Sequence, residues 1–353
     1  MRIRSGTAAK RLIWGALAAL GLALPVAAQP APPPFGMSYS YLNVDPKKVA
    51  ECRTRSRGAT MKAGAFLPRY DQPGVRERVR KDLADMRRSG FQEIRTLVWF
   101  GRIREGDGDW FDVADPGRAA RLIRQYQNDV AAAGFTGSLL GFSPQGTSSP
   151  ICRRGEWGEC FDPLSITASG DFVLAVRDAL GATPPVPLRL DLGPEYCPPD
   201  KPLLVHKTLQ TYVAAIVGRY TRAYPNDRTS ISCSIRRFVV TGAQAETDRL
   251  YAGKGPSFYL IHAYARTDFD TPKEIRRVLA ERPNKDIPFV IGENSYDNRE
   301  HLQQLLQAFS DAQVPLQAVF FWPLHDAMTT CHMDTAPPYT LRDASGGLFG
   351  AAP

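Results

Sequence analysis

Eight short β-rich runs alternate with stretches of helical period along this chain, and that alternation constrains its fold more than any other feature. The runs are Phe35–Asn43, Ile94–Gly101, Thr136–Pro144, Leu188–Glu195, Arg237–Gln244, Phe258–Tyr264, Phe289–Ser295 and Ala318–Leu324. Between most of them apolar residues recur every three or four positions: Val75, Val79, Leu83 and Met86; Leu122, Tyr126 and Val130; Leu209, Val213, Ile216 and Tyr220; Leu302, Leu305, Leu306 and Phe309. Asp115-Pro116 offers an N-cap followed by proline at the first helical position, and Thr271 with Glu274 and Asp297 with Glu300 have capping-box spacing. Strand–helix alternation implies parallel strands joined by crossovers. The expected fold is α/β, a single (β/α)8 TIM barrel over 35–353. An open doubly wound sheet is disfavoured because Phe35–Asn43 leads into no GxGxxG. The least regular connections are expected after Gln244, where space for a helix is short, and after Leu324. No internal repeat or domain boundary is visible.

The first 28 residues read differently. Arg2, Arg4, Lys10 and Arg11 precede an apolar run from Leu12 to Leu24, and Pro25-Val26-Ala27-Ala28 places small residues before a cut at Gln29. This is the order of a secretory signal peptide, with an uncleaved anchor helix as the alternative. Residues 29–34 read as a Pro-rich spacer. The expectation is an exported protein, secreted or periplasmic, with no membrane insertion after cleavage and acting as a monomer. The formal net charge is +8, and four of those positive charges sit in the leader, which argues against nucleic acid as a partner. Export gives the six cysteines (Cys52, Cys152, Cys160, Cys197, Cys233, Cys331) a disulfide reading. Cys152 and Cys160, close in sequence, are the favoured pair.

In such a barrel the active site lies at the carboxyl ends of the strands. Strand four, Leu188-Arg189-Leu190-Asp191-Leu192-Gly193-Pro194-Glu195, puts leucines on one face and Arg189, Asp191, Gly193 and Glu195 on the other. Arg189 and Asp191 are expected to pair inside the barrel below Glu195. Strand seven runs from Phe289-Val290-Ile291 straight into Gly292-Glu293. Two carboxylates facing one cleft are the machinery of glycoside hydrolysis, where one is protonated to assist the leaving oxygen and the other is ionised.

Acidic residues ending strands four and seven resemble the clan of retaining TIM-barrel glycosidases that includes cellulases, mannanases and galactosidases. The resemblance implies Glu195 as acid/base and Glu293 as nucleophile. Arg95, in Ile94-Arg95-Thr96-Leu97, is similar to that clan's strand-two arginine, and His262 and Tyr264 are similar to its strand-six His and Tyr. Trp322, in Phe321-Trp322-Pro323, is similar to its strand-eight sugar platform. One position departs: Pro194 stands where most members have an Asn that hydrogen-bonds the sugar 2-hydroxyl, leaving Gln244 and Asn294 as candidates for that contact.

Aromatics at strand ends suit an oligo- or polysaccharide partner: Trp99, Trp110, Trp157, Tyr196, Tyr251, Tyr296 and Trp322. Glu156 and Glu159 are further acids, and Glu246 is the reserve catalytic candidate. Gly141-Phe142-Ser143-Pro144-Gln145 fails as a G-x-S-x-G elbow, and no P-loop, HExxH or EF-hand spacing occurs. The histidines are scattered, with His325-Asp326 the best place for a metal, and nothing demands a cofactor. The leading expectation is a glycosidase cleaving β-glycosidic bonds with retention. A non-catalytic carbohydrate-binding barrel and a metal-dependent deacetylase or hydrolase are the alternatives.

Overall fold

The computed structural model describes residues 33–42, 64–102, 110–152, 155, 160–196, 203–240, 243–252, 255–264, 270–281, 286–295 and 298–322. The leader at 1–28, most of the spacer, Trp157, Tyr296, Glu156, Glu159, His325 and Asp326 fall outside these ranges. The strands are β1 (Phe35–Ser38), β2 (Tyr41–Leu42), β3 (Gly64–Ala65), β4 (Glu93–Gly101), β5 (Phe111–Asp112) and β6 (Gly137–Pro144). They continue with β7 (Leu188–Asp191), β8 (Arg228–Ser230), β9 (Ser232–Ser234), β10 (Tyr259–His262), β11 (Phe289–Ser295) and β12 (Leu316–Trp322). The helices are α1 (Val75–Arg88), α2 (Pro116–Ala132), α3 (Ser165–Leu180), α4 (Leu203–Ala223), α5 (Ile235–Val240), α6 (Ala243–Leu250), α7 (Thr271–Glu281) and α8 (Arg299–Asp311). No helix among the described residues is long and apolar enough to cross a membrane.

The main sheet runs β8-β7-β6-β4-β1-β12-β11-β10-β9, all in parallel, with β5 paired to β4. Only Ile231 separates β8 from β9, so both ends of that path belong to the stretch 228–234 and the sheet returns on itself as a barrel. Counted that way, β7 is the fourth barrel strand and β11 the seventh. Inside, Leu139, Phe258, Leu260, Val290, Ala318 and Phe320 form a small apolar plug. Gly36 makes room for it, since a Cβ there would lie 2.4 Å from Phe320 Cδ1. The larger apolar layer lies between sheet and helices and takes in Val79, Leu83, Ile123, Tyr126, Val176, Val213 and Leu305.

Local signals explain the helix starts. Asp115 accepts from the Arg118 N–H at 3.0 Å ahead of Pro116. Two caps are displaced by one residue from expectation. Asp270, not Thr271, accepts from the Lys273 N–H, and Asn298, not Asp297, caps α8 through the His301 N–H.

The fifth strand is a larger correction. Residues 237–240 and 243–244 do not form it; the strand is 228–234, and 235–240 is helical. Thr229 to Ser234 is mostly small and polar, so it carries no apolar alternation. Phe238-Val239-Val240 is β-like in composition, yet Ile235, Phe238 and Val239 form one buried helical face. The first strand also ends early: Tyr41–Leu42 pairs antiparallel with Gly64–Ala65 instead of extending β1. The expected Arg189–Asp191 pair does not form. Arg189 bonds Glu93 at 2.5 Å, and Asp191 lies 3.9 Å from Arg95. Burial raises the Glu93 carboxyl above its ordinary range, although Arg189 opposes the shift.

Candidate active site

At the end of β11, pleat alternation alone would not bring Glu293 to the barrel mouth. The register does it: Ile261 of β10 sits opposite Ile291, but the next residue, His262, sits opposite Glu293. On the other side Ile291 pairs Val319 and Asn294 pairs Phe321. Gly292 is the extra residue of a β-bulge, a device that re-aims side chains beside functional sites. Glycine leaves room there, because a Cβ would lie 2.8 Å from Leu260 Cδ1 and 3.2 Å from the His262 ring and both would have to shift. Glu293 is then gripped on both oxygens. Arg95 donates to Oε1 at 2.5 Å and the Tyr264 hydroxyl to Oε2 at 2.5 Å. Arg95, itself 0% exposed, is held protonated: burial opposes its charge, but Glu293 and Asp191 outweigh that. Burial and the adjacent Glu293 charge push the Tyr264 hydroxyl well up, so it stays a donor.

Glu195 arrives by another route. β7 ends at Asp191, and residues 192–195 turn instead of continuing the strand. Glu195 has φ 57°, the left-handed region that costs a non-glycine residue about 1–3 kcal/mol unless its surroundings enforce it. Its N–H donates to Ser232 Oγ at 2.8 Å and its carbonyl accepts from Arg237 at 3.4 Å. The next residue, Tyr196, is 1% exposed and packs edge-on to Tyr212. The turn is thus anchored in the core while the carboxyl stays outside: the Glu195 side chain is 54% exposed and that of Glu293 is 11%.

The carboxylates meet at His262. Its Nδ1 lies 3.0 Å from Glu195 Oε1 and 3.4 Å from Glu293 Oε2, and its Nε2 lies 3.5 Å from Arg95 Nη2. Arginine can only donate, so Nε2 is placed to accept from Arg95 and Nδ1 to donate to the carboxylates. That contact holds the Glu195 carboxyl down at about 2, against its partial burial and helped by the Arg237 and Arg95 charges. Glu195, His262 and Glu293 offer atoms that all lie within 4.8 Å of one another, the spacing of a metal-ligand set. Arg95 already occupies Glu293 Oε1, however, so a cation would have to displace a buried charge-assisted bond.

A cleft of about 600 Å³ opens over this group, within the range of small-molecule sites. Arg95, Trp99, Glu195, His262, Glu293 and Trp322 all line it, so six of the nine expected site residues come together there. Tyr264 joins them through Glu293. Gln244 and Asn294 do not. Gln244 lies on α6 and donates to the Tyr259 hydroxyl at 3.3 Å. Asn294, 0% exposed, follows the bulge and pairs with Phe321 on the outward side of the sheet. Glu246 is also removed from the site. It bonds Arg249 at 2.7 Å and Gln210 at 3.0 Å, and Arg249 lowers its pKa. Tyr196 is buried and also contributes to the cleft lining, whereas Trp110 and Tyr251 lie off it. His301, on α8, bonds the carbonyl of Ala263 just beyond β10.

Other contributors escaped sequence reasoning. Ser143, Gln145 and Arg237 line the cleft, and so does the Cys152–Cys160 disulfide. The bridge is the pairing the sequence favoured. Gly292 did carry a signal, because a lone glycine inside an apolar strand marks a bulge. Ser232 carried none, since its strand was misplaced.

No family model matches the chain, and no curated protein matches it in sequence. Solved structures do. The exo-beta-1,4-mannosidase Op5Man5 from Opitutaceae bacterium strain TAV5 aligns with 85% of this chain at 14% identity and a TM-score of 0.52. The chain spans 55% of that mannosidase's length. GH5_18 of Streptomyces cattleya, in complex with Manb1-4GlcNAc, aligns over 82% of this chain and 71% of its own at 14% identity and TM-score 0.55. The endo-1,4-beta-mannanase from Eisenia fetida covers 85% of this chain and 89% of its own at 13% identity and TM-score 0.51. This chain has their fold. The cleft above β4, β7, β10 and β11 lies at the carboxyl ends of the strands, where barrels of this kind carry their chemistry.

Proposed function

We propose that this chain is an exported glycoside hydrolase that cleaves β-glycosidic bonds of an oligo- or polysaccharide with retention. Glu293 is the nucleophile and Glu195 the acid/base. The observation that carries the reading is the approach of the two carboxylates around His262, with atoms within 4.8 Å. Retaining enzymes hold the pair about 5–5.5 Å apart and inverting ones about 6.5–9.5 Å, to admit water between them. Glu293, paired to Arg95, attacks the anomeric carbon as the bond to the aglycone oxygen breaks, and Glu195 gives that oxygen its proton. Glu195 then takes a proton from water, whose oxygen displaces Glu293 from the sugar. Trp99 and Trp322 supply faces on which a ring can stack.

Glu195 must carry a proton for the first step, and His262 keeps it ionised in the empty site. The incoming glycosidic oxygen therefore has to replace the His262 contact. That same low pKa, together with Pro194 in place of a donor, favours a second reading: a barrel that binds saccharide without cutting it.

The test is to incubate the protein with aryl β-glycosides, starting with β-mannosides because two fold neighbours bear β-1,4-mannan or mannoside names. The anomer first formed is read by NMR. A β-product supports the proposal, an α-product makes the enzyme inverting, and saccharide binding without product favours the second reading.

A further inference from the structure

Glu195 is the one side chain of the carboxylate pair whose position rests on a turn, and the grip on that turn is specific. Pro194 has no N–H, so the turn's next donor is Glu195 itself, and its partner is a side chain: Ser232 Oγ, at 2.8 Å. Ser232 is 0% exposed and is itself aligned. Its N–H donates to Asp191 Oδ1 at 3.1 Å, and the same oxygen accepts from the Gly193 N–H at 3.2 Å. Asp191, the last residue of β7, thereby ties the start of the turn to β9, and Ser232 ties its end. Backbone bonds from the Leu192 N–H to the Ser230 carbonyl at 2.8 Å and from the Ser232 N–H to the Gly193 carbonyl at 3.3 Å join the same strands, but Glu195 itself is tied to strand five by the Ser232 hydroxyl. It fixes a backbone conformation that glutamate rarely adopts.

We propose that Ser232 is the positioning residue for Glu195, its hydroxyl holding the left-handed turn so that the carboxylate faces His262 and Glu293. Asp191 orients Ser232, and neither touches the reacting atoms. The groups that face the Glu195 carboxylate are His262 on β10, Glu293 on β11, Arg95 on β4, Tyr264 beyond β10 and Arg237 on α5. Releasing the turn moves the carboxylate away from all of them at once. Its role as the acid/base rests on the proposed glycosidase reading, but the positioning itself does not.

The experiment uses the full chain with Ser232→Ala and Ser232→Thr, the latter keeping the hydroxyl. The primary readout is the carbon NMR titration of the Glu195 carboxyl in glutamate-labelled protein, assigned with Glu195→Gln. It reports on the His262 contact whether or not the protein turns over substrate. The Ala variant should titrate back near the ordinary glutamate value of about 4.3, and the Thr variant should stay depressed like the wild type. Should the added methyl prevent folding, Ser232→Cys, a weaker acceptor of similar size, should fall between wild type and Ala.

The secondary readout is hydrolysis of phenyl against dinitrophenyl β-glycosides. The Ala variant should lose on the order of tenfold on the phenyl aglycone and little on the dinitrophenyl one, against a ceiling of about 10²–10⁴ for complete loss of the acid. An Ala variant with an unchanged Glu195 titration overturns the proposal. A wild type that hydrolyses no glycoside overturns the functional reading alone, and the titration still decides on Ser232.

Discussion

Glu293 leaves a strand kinked by one extra residue and is held by its side chain, while Glu195 leaves a turn and is held by its backbone. The first has both oxygens occupied by Arg95 and Tyr264 and little contact with water. The second is more than half exposed, with one oxygen on His262. The contrast matches what each would have to do in the proposed mechanism. A nucleophile needs a permanent negative charge, which buried donors supply. An acid/base must change protonation twice per cycle, so it needs access to water and one partner that can be exchanged.

The largest effect that would test this contrast is Glu293→Gln. Turnover should fall by roughly 10⁴-fold or more, measured as kcat on an activated aryl glycoside. Stability should fall as well, by about 3 kcal/mol in chemical denaturation, because buried Arg95 loses its closest counter-charge. Glu195→Gln should slow phenyl aglycones by about 10²–10⁴ and dinitrophenyl ones far less. Its stability should stay within about 0.5 kcal/mol of wild type, since the group is half exposed. Equal destabilisation by the two substitutions would break the comparison. Next comes Gly292→Ala, which should cost about 1–3 kcal/mol and displace His262, detected as a lower Tm with lower turnover.

The smallest effect is in pH. Glu195 is depressed to about 2, so its contribution to stability is present above the unfolded glutamate value and disappears as pH falls toward about 2. The difference in unfolding free energy between wild type and Glu195→Gln should narrow across that acid window. At this exposure it amounts to less than about 1 kcal/mol.

Much of the barrel was legible because its helices carry long periodic faces and most of its strands carry concentrated apolar runs. β11 was placed to the residue, and β4 and β6 to within one. The fifth strand was not legible, because 229–234 is built of small polar residues whose pairing is decided by neighbours in space. The two carboxylates could be read from their place at strand ends. Their grips could not: alternation along β7 put Glu195 on the correct side for the wrong reason, since the strand stops four residues short of it. Gln244 failed because it was assigned to a strand end that is a helix. Asn294 failed because the bulge at Gly292, two residues earlier, reverses the phase of every side chain that follows.

The Cys152–Cys160 bridge forms part of the cleft wall, although it touches neither carboxylate. A covalent ring this short, with the two cysteines eight positions apart, removes about 2.5 kcal/mol worth of freedom from the open chain in the loop-entropy account. Wall segments set in advance need not be frozen when a ligand arrives, so their ordering is not subtracted from affinity. The readiness of this cleft is thereby coupled to the thiol–disulfide balance of its surroundings.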